Sequence, residues 1–168
     1  MEIRKYQIGD TQQIMDLFYD TVHAINSQDY TNEQVDAWAP KRMDYEKWKK
    51  RLISGVTHVA EEDGVIAGFA ELQSNGHLDC FYCRKEFIGR GVGGLLLKAV
   101  EAAARKLRAP TLSAEVSITA RPFFERRGFQ IVNEQEVVVR GVSMKNYVMS
   151  KPMSMPRKDR TLPPIGNR

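Results

Sequence analysis

The segment Gly89-Arg90-Gly91-Val92-Gly93-Gly94 places four glycines at the start of an apolar-periodic stretch. A loop of this kind running into a helix can bind an anion. The first backbone N–H groups of a helix lack partners inside it, the helix dipole adds partial positive charge, and glycines let a phosphate approach the backbone. Two phosphate motifs can be compared with it. A Walker loop ends in Gly-Lys-Ser/Thr, and Gly93-Gly94-Leu95 has neither the lysine nor the hydroxyl. The dinucleotide pattern G-x-G-x-x-G is met by Gly89, Gly91 and Gly94, with Glu115 lying 21 residues beyond Gly94, where a ribose-binding acid would stand. Against it, five residues separate the preceding predicted strand from Gly89, hairpins come before the loop, and too few residues follow to complete a parallel sheet.

Other reactive residue types carry weaker signals. Cys80 and Cys83 form C-x-x-C, but a redox dithiol needs its first cysteine at a helix N-terminus and zinc needs four ligands. Within a strand the odd spacing sends the two side chains to opposite faces, so two buried thiols and no metal are expected. His23, His58 and His77 show no ligand spacing, and Trp38 and Trp48 read as packing anchors.

The elements that would position the loop follow from periodicity and punctuation. Glu2–Tyr6 alternates as a short strand, and Asp10 with Gln13 predicts a capped helix carrying Ile14, Leu17, Phe18 and Val22. Thr31 with Gln34 repeats the cap signature before a segment stopped by Pro40, and residues 44–53 form another helix. Residues 57–61 and 65–72 pair around Gly64, and Asn75-Gly76 turns the chain into a third strand at 77–83, giving an antiparallel meander. The glycine loop then opens a helix to about Leu107, with Val92, Leu96, Ala99, Val100, Ala103 and Leu107 on one face. A strand at 111–116, a short helix capped by Ser117 or Thr119 and stopped by Gly128, and two strands flanking Arg140-Gly141 complete the chain. The fold class is mixed α/β: a mostly antiparallel central sheet with one β-α-β crossover, flanked by helices.

The chain has 168 residues, 42% hydrophobic and 27% charged, with two cysteines, which fits one domain without a disulfide framework. Its net charge of +4 is confined to residues 151–168, where five basic residues face one acid; residues 1–150 are neutral. That segment also holds four of the seven prolines and no aromatic residue, so a domain over 1–151 and a flexible basic, Pro-rich tail over 152–168 are expected. No basic patch in the body suggests nucleic acid, and no run is apolar enough for a membrane span. The first residues, Met1-Glu2-Ile3-Arg4-Lys5-Tyr6, lack the apolar stretch of a signal peptide, so a cytoplasmic protein is expected.

The longer stretch Tyr82-Cys83-Arg84-Lys85-Glu86-Phe87-Ile88-Gly89-Arg90-Gly91-Val92-Gly93-Gly94 resembles the acyl-CoA pyrophosphate loop, Gln/Arg-x-x-Gly-x-Gly/Ala, of the GNAT superfamily of N-acetyltransferases. A second match lies at the right distance: Phe123-Phe124-Glu125-Arg126-Arg127-Gly128-Phe129 resembles the family's Phe-Tyr-Glu-x-x-Gly-Phe helix. The order of elements agrees over about residues 2–151. The resemblance implies that acetyl-CoA lies between splayed fourth and fifth strands, here 77–83 and 111–116. It implies pyrophosphate donors in the backbone of Gly89, Arg90, Gly91, Val92, Gly93 and Gly94, with Phe81, Tyr82 and Cys83 offering backbone groups to the pantetheine arm and the thioester oxygen. An amine would attack the thioester directly, without metal or covalent intermediate.

Two positions depart from the pattern. Ile88 stands where the motif has Gln or Arg, so only its backbone N–H remains for a phosphate. Phe124 stands where many relatives carry a Tyr general acid, and Phe cannot donate a proton; water or a hydroxyl of Ser117, Thr119 or Tyr147 would substitute. For the base, the resemblance points first to Glu115 and then to Asp79 and His77, which share one strand face. Tyr19, His23, Tyr30 and Trp38 fall where the family walls its acceptor pocket, with Tyr30 and Trp38 as substrate-binding candidates for an aromatic, alkyl or cationic group.

The expected function is therefore acetyl transfer from acetyl-CoA to a primary amine of a small molecule, peptide or protein. The alternative is an acyl-CoA-binding sensor or interaction module with little catalysis. An exposed closing strand allows a homodimer.

Overall fold

The computed structural model describes residues 1–154. Its centre is a seven-stranded sheet: β1 (Glu2–Lys5), β2 (Val56–Glu62), β3 (Val65–Leu72), β4 (His77–Cys83), β5 (Thr111–Ser117), β6 (Gln130–Val139) and β7 (Val142–Pro152). The strands lie in the order β1-β2-β3-β4-β5-β7-β6. Every pairing is antiparallel except β4 with β5. That one parallel step is spanned by α4 (Val92–Lys106), as a crossover between neighbouring parallel strands requires. The expected mixed α/β architecture is the observed one.

Helices cover both faces. On one face α4 and α5 (Arg121–Arg126) pack over Leu72, Leu78, Leu112, Ala114 and Met149. On the other, α1 (Thr11–Ala24), α2 (Asn32–Trp38) and α3 (Tyr45–Ser54) enclose Phe18, Trp48, Val59, Ile66, Phe69 and Cys80. Both faces of β3 are therefore covered, and six of the seven residues from Ile66 to Leu72 are apolar, with Glu71 the exception.

Two local expectations are corrected. Asp10 stands at the N-cap of α1 as expected, but its side chain makes no cap bond. Its carboxylate instead takes both terminal nitrogens of Arg4 at 2.8 and 2.9 Å, and Gln13 reaches out to the Ile66 N–H at 3.1 Å. A two-point guanidinium pair outweighs a single neutral cap bond. The buried stripe of α4 runs Val92, Leu96, Val100 and Ala104, with Leu97 beside it, while Leu107 is 38% exposed. The helix ends one residue earlier, Arg108 takes a left-handed φ of +55°, and Ala109 turns inward in place of Leu107.

β7 runs through Pro152, and Met153 is buried against the α4-side core with its N–H on the Pro110 carbonyl at 2.8 Å. The expected tail from residue 155 on lies outside the described residues. Other local signals appear as expected: Thr31 and Gln34 form a reciprocal capping box, and Gly128 has φ +88°.

Candidate active site

The site is built where the sheet opens. β4 and β5 share only two register pairs, His77 with Ser113 and Leu78 with Ala114. Beyond them the strands part, so the residues from Asp79 to Cys83 have no β5 partner. A bulge precedes the opening: Leu72 pairs with Leu78 and Glu71 with Cys80, which leaves Asp79 as the extra residue. Alternation is thereby reset. Leu78 and Phe81 face α4, whereas Asp79, Cys80 and Tyr82 all face the helices on the other side. On the α4 side of the opening, Phe81 packs against Phe123 and Phe124 at ring-centre distances of 5.5 and 5.4 Å.

The glycine loop stands beside this opening. A single 3-10 turn, Lys85–Phe87, leads into it, and Gly89 and Gly91 adopt φ of +80° and +84°. Gly91 is the residue that caps α4. The backbone N–H groups of Gly89, Gly91, Val92, Gly93 and Gly94 meet no acceptor outside the helix among the described residues, and α4's own ladder begins only with Leu95 on Gly91. Two expected donors are committed elsewhere: Ile88 N–H bonds Lys85 at 3.3 Å and Arg90 N–H bonds Phe87 at 3.2 Å. Both close short turns inside the loop.

At 93 and 94 the start of α4 runs close beside side chains that follow β5. A Cβ at Gly93 would lie 2.9 Å from the Phe123 ring, and one at Gly94 would lie 2.9 Å from the Arg127 guanidinium. Arg127 thus sits over the start of α4, stacked on Phe123 at 5.2 Å and without a carboxylate partner among the described residues. The Arg90 side chain is turned away onto Glu62 at 2.6 Å.

On the opposite face lies a cavity of about 830 Å³. His77, Asp79, Glu115 and Ser117 line its sheet wall, and Phe18, Tyr30, Trp38, Trp48 and Tyr82 supply aromatic surface. Glu115 is exposed to the cavity and forms no hydrogen bond or ion pair among the described residues. Asp79 is engaged: Arg51 donates to it at 2.6 Å and to Glu71 at 3.0 Å. His77 stands 3.8 Å from Asp79 and 3.2 Å from the Ser113 hydroxyl. Glu71 is buried, and that burial raises its pKa against the pull of Arg51. Glu71, Asp79 and Cys80 have the mutual spacing of metal ligands, yet the Arg51 guanidinium already bridges the two carboxylates.

The acetyltransferase (GNAT) domain model matches residues 26–151 of this chain. The chain is 36% identical to the uncharacterised N-acetyltransferase YafP of Escherichia coli (strain K12) over 149 residues, covering 89% of this chain and 94% of that one. The chain belongs to the GNAT acetyltransferase family. A GCN5-related N-acetyltransferase structure from Rhodopseudomonas palustris superposes with a TM-score of 0.87 at 31% identity, covering 90% of this chain and 94% of that chain. The PaiA N-acetyltransferase of Thermoplasma acidophilum, solved with coenzyme A, shares the fold at TM-score 0.75 and 19% identity, covering 90% and 98%. As a GNAT member the chain is an acetyl-CoA-dependent acyltransferase.

Within this GNAT fold the residues named from sequence divide by face. The loop, Phe81 and Phe124 lie on or beside the α4 face; Glu115, Asp79, His77, Tyr30 and Trp38 surround the cavity, and the β4–β5 opening joins the two. Phe124 is 3% exposed and enclosed by Phe81, Phe123 and Phe129. Among the three substitute hydroxyls, Ser117 faces the cavity, Thr119 donates to Asp29 at 2.8 Å, and Tyr147 belongs to the α4-side core. Tyr30 is fully used: its hydroxyl donates to the Lys145 carbonyl at 2.6 Å and accepts the Ile118 N–H at 3.0 Å.

Tyr82 packs its ring on Phe69 and Phe18, and burial raises its pKa. The Cys83 carbonyl accepts from Thr21 at 2.9 Å, and burial pushes the Cys83 thiol up to about 12. Cys80 is raised by burial as well, and both thiols are free. Tyr19 and His23 do not line the cavity; the His23 ring meets the Ala39 carbonyl at 2.8 Å. Sequence reasoning missed Arg51, Glu71 and Arg127. A lone acid inside Phe69-Ala70-Glu71-Leu72 was the available signal for Glu71, since an unpaired charge is rarely fully buried.

Among the described residues no helix is long and apolar enough to cross a membrane.

Proposed function

We propose that this protein transfers the acetyl group of acetyl-CoA directly to a primary amine held in the 830 Å³ cavity. The observation that carries the proposal is Glu115, an unpaired carboxylate on the cavity wall of β5, next to the point where β5 leaves β4. The acceptor enters as an ammonium ion, and Glu115 takes its proton. The neutral nitrogen then forms a bond to the thioester carbon, the carbon–sulfur bond breaks, and the nitrogen gives its second proton to water, leaving the amide. The backbone N–H groups of Phe81 and Cys83, directed away from β3 where β5 has left the sheet, orient the acyl arm and stabilise the developing oxyanion. The amides of Gly89, Gly91, Val92, Gly93 and Gly94, with Arg127 beside them, hold the pyrophosphate. The positive φ at Gly89 and Gly91 and the unspent amides fit such a group.

The leaving thiolate takes a proton from water or from Ser117, whose hydroxyl accepts from Asn26 at 3.2 Å and Ala120 at 3.0 Å and so keeps its own proton to give. Asp79 is the less available base because its Oδ2 already accepts from Arg51 at 2.6 Å. His77 remains the second candidate, oriented by Ser113 and Asp79. Trp38 and Tyr30 wall the acceptor, their rings in edge contact at 5.4 Å. A cytoplasmic location and a homodimer through the β6 edge, where Val132 and Val138 are 65% and 71% exposed, belong to the same reading.

The test is incubation with acetyl-CoA and a panel of primary amines, following thiol release and the N-acetyl product together. Amine-dependent release with one product per thiol supports transfer. Phe124 favours a second reading, an acyl-CoA-binding module: tight acetyl-CoA binding with no product from any amine would establish that one instead.

A further inference from the structure

Charges of both signs line the cavity. Glu115 and Asp79 lie on the sheet at the β4–β5 opening, with Arg51 on Asp79; Arg42, Asp44 and Lys47 lie on the segment leading into α3 and on its first turn, Lys145 on β7, and Arg140 at the β6–β7 turn. Arg42 and Lys47 meet no carboxylate among the described residues, although both line the cavity. Asp44, the acid between them, spends its Oδ1 on capping α3 through the Lys47 N–H at 3.1 Å.

Arg140 adds an independent observation. It occupies the first position of the β6–β7 turn at φ +47°, followed by Gly141 at +79°. Such a turn favours Asn, Asp or Gly at that position, and an arginine there is strained. The strain carries a guanidinium across to the cavity, where Nη1 is pinned on the Ala37 carbonyl at 2.6 Å and the rest of the donor fork has no acceptor among the described residues. A pinned, planar, unspent fork is suited to a carboxylate.

Resting on the acetyl-transfer reading above, we infer that the acceptor is an elongated amine carrying an anionic group, a carboxylate above all, at the end remote from the nitrogen that is acetylated. Arg140, Arg42 and Lys47 bind that group while Glu115 faces the amine. The fold sets the length. Glu115 pairs with Val148 on β7, and Val142 at the turn is six residues earlier on the same strand. At about 3.3 Å per residue those six steps span roughly 20 Å. Side chains reach inward from both ends, so the two groups of a bound acceptor stand on the order of 10 Å apart, far more than in a free α-amino acid. The aromatic wall of Trp38, Tyr30 and Trp48 lies in the same cavity to take an apolar middle.

Short aromatic peptides provide matched probes, since a free C-terminal acid and its amide differ in the remote charge and share the same amine. Di-, tri- and tetrapeptides beginning with Phe are to be assayed in both forms with the intact protein. The acid is expected to be preferred in kcat/KM by about tenfold at the tri- or tetrapeptide length, through KM. Arg140→Asn is expected to lower that acid-to-amide ratio by a similar factor without lowering Tm, because Asn is at home in the turn. Arg42→Gln tests the same ratio at a residue outside the turn. Amides acetylated as well as acids, or a ratio unmoved by both variants, overturns the inference and leaves acetyl transfer standing. If no peptide or simple amine is acetylated although acetyl-CoA binds, the acetyl-transfer reading fails and the inference with it.

Discussion

Arg51 donates to Asp79 at 2.6 Å while its Nε donates to the buried Glu71 at 3.0 Å, so one guanidinium ties the bulge of β4 to the inside of β3. This arrangement distinguishes three acids on neighbouring strands. Glu71 is structural, Asp79 is spoken for, and Glu115 is left free on the cavity wall.

Glu115→Gln should therefore lower kcat by roughly 100-fold or more, the usual contribution of a positioned general base. The KM for acetyl-CoA should stay near that of the parent protein, because the glycine loop is on the other face. Steady-state kinetics between pH 6 and 9 check this. A variant with unaltered turnover across that range would remove Glu115 as the base.

Arg51→Met should destabilise the fold by about 2–3 kcal/mol, since it strands a buried carboxylate at Glu71. Replacing the acid as well, in Arg51→Met with Glu71→Leu, should recover much of the loss because no charge is then buried unpaired. Urea unfolding of the single and double variants measures the difference.

At the loop, Gly91→Ala forces a Cβ into φ +84°, at a cost of about 1–2 kcal/mol, and disturbs the cap from which the free amides project. Arg127→Ala removes the cation beside Gly94. Each should raise the dissociation constant for acetyl-CoA about tenfold. Calorimetric titration with acetyl-CoA provides the reading, and the Arg127 variant should show it without a change in the acceptor KM.

His58 gives the expected pH dependence. Burial lowers its pKa from the ordinary 6.5, and Lys5 and Lys106 add to the effect; its Nδ1 is buried without a partner. The unfolded chain binds a proton there more readily than the folded one, so stability is full above about pH 6.5 and falls as pH drops below it. Tm measured at pH 8 and pH 5 should differ by less in His58→Gln than in the parent protein.

The order of elements is legible because each boundary carries its own chemistry: Gly76, Arg140, Gly141 and Gly128 all adopt left-handed backbone where the sequence predicts a turn or stop. The paired motifs around Gly91 and Phe124 were legible for the same reason, being local in sequence. What escaped was non-local. The bulge that leaves Asp79 unpaired depends on the register of β3 against β4, which periodicity within β4 alone does not reveal. The contact of Asp10 with Arg4, and of Arg51 with Glu71 and Asp79, joins residues that no local pattern relates, since the second depends on α3 packing against β3 and β4. Ile88 and Arg90 were counted as phosphate donors because the turns that consume their N–H groups appear only in three dimensions.

The measurement that bears most directly on the central claim is thermal unfolding of the protein with acetyl-CoA, CoA and NADH, each at saturation. A ligand specific to the native state at a hundredfold excess over its dissociation constant adds about 2.7 kcal/mol. Acetyl-CoA and CoA should each raise Tm, the Arg127→Ala variant should need more of either, and NADH should leave Tm unmoved. A rise with NADH alone, or none with acetyl-CoA, would contradict the account of the loop and everything built on it.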